Sequence, residues 1–261
     1  MKIGFIGCGN MGGALAKAVK KIGADIFLSD RDFNRASTLA EEIGATPCTN
    51  IEAAFGCDMI FLAVKPNVIK SVLSELSSVL GAKVPLLVTM AAGVKIAALE
   101  EIVSSEYPII RIMPNTPCSV GRGMITWCHN AAVSEDHKSA FIGAMSAAGR
   151  LDLIPEGMID AASAIAGCGP AFVYMFADAL ADGGVACGLP RDKALTYAIE
   201  TIIGAGEMMK ASNKHPEQLK DEVCSPGGST IEGVLALEDG AFRATASSAV
   251  VSAFEKTKKL G

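Results

Sequence analysis

A glycine-rich segment near the start of the chain has the spacing of a pyrophosphate-binding loop. Gly7, Gly9 and Gly12 form a Gly-x-Gly-x-x-Gly pattern that follows an apolar run and opens a helical pattern. In such loops the first glycine makes a tight turn, the second admits the phosphates, and the third lets helix and strand pack closely. The free amides at the helix start then bind the anion. We therefore predict a dinucleotide-binding loop formed by Gly7, Cys8, Gly9, Asn10, Met11 and Gly12.

The end of the next strand pattern should select the cofactor. Asp30 lies 18 positions after Gly12, where an acid can bind the ribose hydroxyls of NAD(H). Arg31, together with Ser29 or Arg35, could instead bind the 2′-phosphate of NADP(H). The two arginines could equally form a solvated helix face, so the residues alone leave these alternatives open.

Small residues follow two later strand patterns, at the strand ends where ligands of parallel sheets bind. The first turn comprises Ala63, Val64, Lys65 and Pro66, and the second comprises Ala91, Ala92 and Gly93. Small side chains there would let a nicotinamide ribose lie against the backbone. Ordinary strand-to-helix turns, with Pro66 starting a helix, explain the same residues equally well.

A second unusual stretch, residues 219–233, combines glycines with hydroxyl side chains. Ser229 followed three positions later by Glu232 fits a capping box at a helix start. Alternatively, two glycines expose backbone amides beside hydroxyl groups, which makes a compact site for a small carboxylate. The residues of this candidate site are Ser225, Gly227, Gly228, Ser229 and Thr230.

The elements around the first motifs alternate between strand and helix over residues 1–157. Strands are predicted at residues 2–6, 25–28, 58–64, 86–90 and 109–113, with edge strands at 123–129 and 151–154. Helices are predicted at residues 11–22, 34–43, 67–80, 96–103 and 135–148. This alternation predicts an α/β domain of the Rossmann type, with a doubly wound and mostly parallel sheet.

From residue 158 to residue 261 the strand patterns stop and only helical patterns remain. They cover residues 158–166, 171–186, 192–211, 216–223, 231–237 and 241–258. Several are apolar on nearly every face, as in residues 194–203, and such helices must be buried. Because about 100 residues cannot bury so many apolar faces alone, we expect an all-helical domain that dimerises.

Composition excludes several classes of partner and site. The chain has 261 residues and a net charge of -5, which argues against a nucleic-acid surface. Its mean hydropathy is high, +0.38, but the longest uncharged run is residues 161–177, so we expect no membrane span. The start of the chain does not fit a signal peptide, and we expect a cytoplasmic protein. Eight scattered cysteines and three histidines show no metal-ligand spacing, so no metal is expected.

Taken together, the motifs resemble the pyrroline-5-carboxylate reductase family from end to end. The resemblance is carried by residues 7–12 and 63–66, by Met-Pro-Asn-Thr-Pro at 113–117 and by Gly-Cys-Gly-Pro-Ala at 167–171. It is most specific in the pattern Pro216, Leu219, Val223, Cys224, Ser225, Gly228, Thr230, Gly233, Leu237 and Glu238. The resemblance implies reduction of 1-pyrroline-5-carboxylate to L-proline by NAD(P)H, the last step of proline synthesis. It also implies a homodimer interlocked through the helical domain, sometimes assembled further into a decamer.

Carried over residue by residue, the resemblance places the cofactor loop at residues 7–12 and adenosine contacts at Ser29 and Asn50. It places the nicotinamide-side turns at residues 63–66 and 91–93, and the substrate loop at Ser225 and residues 227–230. Asp30 departs from the pattern, because many NADPH-preferring members lack an acid there. The choice between NADP(H) and NAD(H) therefore stays open.

A protonated imine is already electrophilic, so positioning should supply most of the acceleration. Thr230 is the expected catalytic residue, with its hydroxyl bonded to the ring nitrogen. Ser225, Ser229 and the amides of residues 228–230 would hold the substrate carboxylate. Lys65 is either a second candidate proton donor or a residue that only flanks its turn.

Two alternatives remain. A reductase resembling 3-hydroxyacid dehydrogenases needs a lysine within a helix of the second domain, but residues 158–211 offer only Lys193 and Lys210, both at helix ends. A non-catalytic nucleotide-binding regulator would keep residues 7–12 but would have no reason to keep residues 225–230.

Overall fold

The computed structural model describes residues 1–80 and 84–259. The chain divides into two compact units. Among the described residues, the first unit comprises those up to residue 168 together with residues 253–259, and the second comprises residues 169–252.

The first unit is built on one twisted sheet with the order β3-β2-β1-β4-β5-β6-β7-β8 among the described residues. Its strands are β1 Lys2–Ile6, β2 Asp25–Ser29, β3 Thr46–Pro47, β4 Met59–Leu62, β5 Leu86–Thr89, β6 Ile109–Met113, β7 Gly123–His129 and β8 Gly149–Leu153. Every neighbouring pair is parallel except β6 and β7. The strand order reverses between β1 and β4, which is the point where doubly wound sheets bind ligands. The predicted doubly wound fold is confirmed.

Helices cover both faces of this sheet. They are α1 Asn10–Lys20, α2 Phe33–Ile43, α3 Asn50–Gly56, α4 Pro66–Leu80, α5 Ile96–Val103, α6 Glu135–Met145 and α7 Ile159–Ala166, with short 3₁₀ helices at Thr116–Val120 and Glu156–Met158. All residues of β4 and β5 are buried, as expected for central strands covered on both sides. Phe5 and Phe61 stack between the neighbouring strands β1 and β4, with ring centroids 4.6 Å apart.

Residues 158–168, which the sequence assigned to the second domain, pack in the first unit. Ile159 is fully buried in its core. The guanidinium of Arg111, only 1% exposed, donates to Glu156 Oε1 at 3.2 Å and to Asp160 Oδ1 at 3.0 Å. A buried arginine needs such partners. The compact units therefore divide later than the predicted boundary at 157/158.

The second unit is all-helical. Its helices are α8 Gly169–Ala186, α9 Arg191–Ser212, α10 Pro216–Val223, α11 Ser229–Asp239 and the beginning of α12 Phe242–Lys258. Helices α8 and α9 pack through small side chains, since Ala181, Ala194 and Ala198 form the buried cluster between them. Many large apolar side chains stay exposed in the single chain, among them Met175, which is 73% exposed. The predicted burial of these helices therefore requires a surface beyond one chain.

We expected no segment long enough to span a membrane, and the length of one helical run corrects this expectation. The helical run Glu156–Ala186 has 31 residues, and an 18-residue stretch within it has a mean hydropathy of 1.5, which is long and apolar enough by composition alone. Gly167 lies at the junction of α7 and α8, and Gly169 and Pro170 lie in the first turn of α8, where proline is tolerated. Length and hydropathy are weak evidence for a membrane helix, because helices that pack in protein interfaces can meet the same criteria.

Candidate functional site

The glycine-rich loop joins β1 to α1, and two of its glycines are required by close backbone contacts. Gly7 has a φ of +106°, and a Cβ there would lie 2.4 Å from the carbonyl oxygen of Ala63. A Cβ on Gly12 would lie 2.1 Å from the carbonyl oxygen of Gly7. These contacts match the tight turn and the close helix–strand packing expected of the first and third glycines.

Gly9 has a different environment. An added Cβ would meet no heavy atom within 4 Å in the described part of the chain, and Gly9 lines a large cavity. Gly9 is also the N-cap of α1, whose first amides have no partner within the helix. Open space above free amides at a helix start fits a pyrophosphate.

The cavity has a volume of about 1010 Å³ and lies at the carboxyl ends of the central strands. It brings together 15 of the 17 predicted cofactor residues: Gly7, Gly9, Asn10, Met11, Gly12, Ser29, Asp30, Arg31, Asn50, Ala63, Val64, Lys65, Pro66, Ala91 and Ala92. The lining residues that the sequence did not indicate include Phe33, Cys48, Thr49, Glu75 and Met113. Segments at the carboxyl ends of six strands, β1 to β6, therefore converge on one cavity.

Cys8 and Gly93 are the two predicted cofactor residues that do not line this cavity. The Cys8 side chain is buried and donates from Sγ to the carbonyl oxygen of Ser29. Burial, with a smaller contribution from the charge of Asp30, raises the pKa of the Cys8 thiol to about 12, so the thiol stays protonated. Gly93 has a φ of +77° in the turn after β5, which is a structural reason for glycine there.

Asp30 supports the loop from the end of β2. Its Oδ2 accepts the backbone N–H of Cys8 at 2.7 Å, and its Oδ1 accepts the N–H of Asp32 at 2.9 Å. Arg35 Nη1 lies 3.8 Å from the same Oδ1, and the Asp30 side chain is only 11% exposed. The carboxylate lines the cavity, yet both of its oxygens already accept protein hydrogen bonds.

Asn50 is positioned by a helix start that the sequence analysis missed. Thr49 caps α3 by accepting the N–H of Glu52, and Glu52 in turn accepts the Thr49 N–H. This capping box, Thr-x-x-Glu, is a signal that could have predicted the helix. It also lowers the pKa of the Glu52 carboxyl through the hydrogen bonds from Thr49.

The turns at residues 63–66 and 91–93, called here the first and second alanine turns, also line the cavity. The N–H of Ala63 donates to the carbonyl oxygen of Ile6 at 2.8 Å, which holds the first turn against β1. Pro66 is the first residue of α4, and Lys65 beside it is exposed and lines the cavity. Ala91 is buried in the second turn, directly after β5.

The hydroxyl-rich loop lies in the second unit, between α10 and α11. The N–H of Gly228 donates to the carbonyl oxygen of Ser225 at 3.0 Å, and Gly227 has a φ of +67°. Pro226 and Gly227 thus occupy the positions that a type II turn prefers for proline and glycine. A Cβ on Gly228 would lie 2.4 Å from Ser225 Oγ, so a larger residue there would force the Ser225 hydroxyl to move.

Of the two alternatives for this stretch, the capping box at Ser229 is wrong. Gly228 is the N-cap of α11, so Ser229 and Thr230 are its first two residues. Both side chains, with that of Ser225, are exposed in the single chain. The hydroxyl groups and the first amides of α11 therefore remain available to a ligand.

None of the three histidines lines the cavity, and each forms a hydrogen bond with the backbone instead. His137 and His215 accept backbone hydrogen bonds at the starts of α6 and α10, and His129 Nδ1 lies 2.8 Å from the carbonyl oxygen of Asn130. Over residues 1–80 and 84–259, no three His, Cys, Asp or Glu side chains form a group that could hold a metal ion.

Comparison with protein families finds two matches. The family described as pyrroline-5-carboxylate reductase dimerisation matches residues 156–260, and the family described as NADP oxidoreductase, coenzyme F420-dependent, matches residues 2–93. Similar curated proteins include pyrroline-5-carboxylate reductase 3 of Danio rerio, 41% identical over 100% of this chain and 92% of that protein. The pyrroline-5-carboxylate reductase of Escherichia coli is 38% identical over 99% of this chain and 98% of its own.

Similar solved structures include the pyrroline carboxylate reductase of Plasmodium falciparum with NADP bound. Its TM-score is 0.91 at 37% identity, with 100% of this chain and 98% of that chain covered. The pyrroline-5-carboxylate reductase of Coxiella burnetii has a TM-score of 0.90 at 31% identity, with 99% of this chain and 98% of that chain covered.

Proposed function

Because the chain belongs to the pyrroline-5-carboxylate reductase family, we infer that it reduces 1-pyrroline-5-carboxylate to L-proline with a reduced nicotinamide dinucleotide. The observation that carries this inference is the cavity at the strand-order reversal, where the glycine-rich loop, the end of β2 and the two alanine turns meet. The reaction is the last step of proline biosynthesis and makes the chain an NAD(P)H-dependent oxidoreductase acting on a C=N bond.

The chain uses NADP(H), we propose NAD(H) as a second cofactor, and the residues of the cavity fit both. The open space at Gly9 and the first amides of α1 would hold the pyrophosphate. Ser29, Asn50 and Arg31 would contact the adenosine end, and the turns at residues 63–66 and 91–93 would lie beside the nicotinamide ribose. When bound, the reduced nicotinamide supplies the hydride. We assign this role to a dinucleotide-binding domain over residues 1–157.

The hydroxyl-rich loop of the helical domain, residues 158–261, is the proposed substrate site. A small carboxylate would be held by the amides of Ser229 and Thr230 and by the hydroxyl of Ser225. The amide of Gly228, which we had expected to join them, already donates to Ser225 within the turn. The helix start favours an anion at this position.

Thr230 is the proposed catalytic residue. Its hydroxyl would donate to or accept from the ring nitrogen, which orients the imine without a strong acid. Lys65, exposed in the turn formed by residues 63–66, remains the second candidate for proton donation. The scarcity of histidine agrees with a reaction in which positioning supplies most of the acceleration.

The protein is a homo-oligomer assembled through its helical region. The dimerisation family matches residues 156–260, and this region holds most of the large apolar side chains that one chain leaves exposed. Burial of these faces against a second copy would cover the apolar run Glu156–Ala186. We propose a dimer, with assembly to a decamer as the larger form, and a cytoplasmic location.

A single assay tests the function. The purified protein is incubated with 1-pyrroline-5-carboxylate and NADPH or NADH, and the loss of nicotinamide absorbance is followed together with L-proline formation. We expect turnover that depends on the imine. In a parallel assay with NADP+ or NAD+, oxidation of a 3-hydroxyacid with formation of NAD(P)H would favour the dehydrogenase-like alternative. Cofactor binding without turnover of either substrate would favour a regulator.

A further inference from the structure

Three side chains form a hydrogen-bond chain along the adenosine end of the cavity. Ser29 Oγ donates to Asn50 Oδ1 at 2.7 Å, and Asn50 Nδ2 donates to Glu75 Oε2 at 2.9 Å. Ser29 ends β2, Asn50 begins α3, and Glu75 lies on α4, so three separate elements contribute. All three residues line the cavity.

Glu75 determines which groups donate and which accept in this series of hydrogen bonds. A carboxylate only accepts hydrogen bonds, so it holds the Asn50 amide with Nδ2 towards Glu75 and Oδ1 towards Ser29. The reversed amide would place Oδ1 against the carboxylate, which is repulsive. With Asn50 held in this way, the Ser29 hydroxyl proton is engaged and only its lone pairs remain for a ligand.

The adenosine end is therefore rich in acceptors and in negative charge. The lone pairs of Ser29 and the carboxylates of Asp30 and Glu75 line the same region. A ribose 2′-hydroxyl can donate to such groups, whereas a 2′-phosphate offers acceptor oxygens and further negative charge. Arg31 and Arg35 line the same cavity and supply the positive charge with which a 2′-phosphate can still be bound.

We propose that Glu75 is a specificity-determining positioning residue, which acts through Asn50 and Ser29 to lower the affinity for NADPH relative to NADH. The inference rests on the proposed function only in taking a nicotinamide dinucleotide as the ligand of this cavity. Glu75 does not act on the imine, and its effect belongs to cofactor binding.

The test measures cofactor binding without substrate. The Kd values of NADPH and NADH are determined for the full chain by nicotinamide fluorescence, and those of 2′,5′-ADP and 5′-AMP by calorimetry. Glu75→Gln removes the charge and permits both amide orientations, so the Kd ratio of NADPH to NADH should fall by about three- to tenfold. The Kd ratio of 2′,5′-ADP to 5′-AMP should fall as well.

Glu101→Gln is the matched control, because Glu101 is an exposed glutamate of α5 and is not among the residues that line the cavity. It makes the same change of charge and should leave both ratios unchanged. An unchanged ratio in Glu75→Gln, with a wild-type melting temperature, would overturn the proposal.

A double variant separates action through Asn50 from a direct effect of charge. If Glu75 acts mainly through Asn50, adding Glu75→Gln to Asn50→Ala should shift the ratio much less than Glu75→Gln shifts it in the wild-type chain, because only the direct effect of the charge remains. A full additional shift in the double variant would contradict the proposed route. A wild-type chain that binds neither dinucleotide would instead overturn the proposed function, and this inference with it.

Discussion

The backbone N–H of Cys8 donates a 2.7 Å hydrogen bond to Oδ2 of Asp30, which ties the glycine-rich loop to the end of β2. The other oxygen of Asp30 accepts the N–H of Asp32, so the carboxylate is held in place by two backbone donors. A residue that the sequence suggested as a ribose ligand therefore also supports the loop that would bind the pyrophosphate. The consequence is that changes at Asp30 should affect cofactor choice and cofactor affinity together.

We predict that both NADPH and NADH support turnover and that Asp30→Ser shifts preference towards NADPH by removing a negative charge. The same change leaves the Cys8 N–H without its acceptor, at a cost of about 1–3 kcal/mol, and should weaken both cofactors. Asp30→Asn keeps one acceptor oxygen and should show the shift with less loss of affinity. Kd values of both cofactors for the two variants check this, and a gain in NADH preference would contradict the placement of Asp30.

The glycines of the loop should differ in how they respond to substitution. Gly9→Ala places a methyl group in open space, so the melting temperature should stay near the wild-type value while cofactor binding weakens. Gly12→Ala places a methyl group against the Gly7 carbonyl, which should lower the stability by about 1–3 kcal/mol. Thermal unfolding and cofactor titration of both variants test the prediction. Equal losses of stability would show that Gly9 is also needed for packing.

Local signals predicted most of the nucleotide-binding fold. The predicted bounds of β1, β6 and α5 agree with the observed ones, because each is an apolar run or helical pattern with clear breaks. Strand β4 ends at Leu62 rather than at residue 64, since the chain turns there to begin the first alanine turn. The two-residue strand β3 is too short to show a pattern, whereas α3 carried a readable capping box.

Long-range contacts were beyond prediction from the sequence. The pairing of Arg111 with Glu156 and Asp160 joins residues 45 and 49 positions apart and places α7 in the first unit. The hydrogen bonds from Ser29 to Asn50 and from Asn50 to Glu75 likewise join three separate elements. Neither follows from periodicity or spacing, because each depends on how the elements pack against one another.

Assembly should depend on the apolar face of α8. Met175→Glu places a charge on a side chain that is 73% exposed in the single chain, and burying that charge in an interface is costly. We expect a smaller mass by light scattering and lower activity at the same concentration. Asp178→Asn, an exposed position on the same helix, is the matched control and should leave the mass unchanged. A wild-type chain that is a fully active monomer of 26.9 kDa at micromolar concentration would contradict the assembly.

Thr230→Ser tests whether the hydroxyl rather than the methyl group matters. Thr230 is the second residue of α11, and Gly228 is the N-cap, so the hydroxyl is not needed to start the helix. We expect Thr230→Ser to retain most of the wild-type kcat and to bind NADPH with an unchanged Kd. Loss of activity in this variant would assign the role to the shape of the side chain.

The kcat of Thr230→Ala for 1-pyrroline-5-carboxylate, measured beside its melting temperature, tests the account most directly. Loss of one hydrogen bond to the ring nitrogen should cost about 1–3 kcal/mol, or roughly ten- to a hundredfold in kcat, while the melting temperature and the Kd of NADPH stay near their wild-type values. An unchanged kcat with a lower melting temperature would remove Thr230 from the reaction and assign it to the stability of α11.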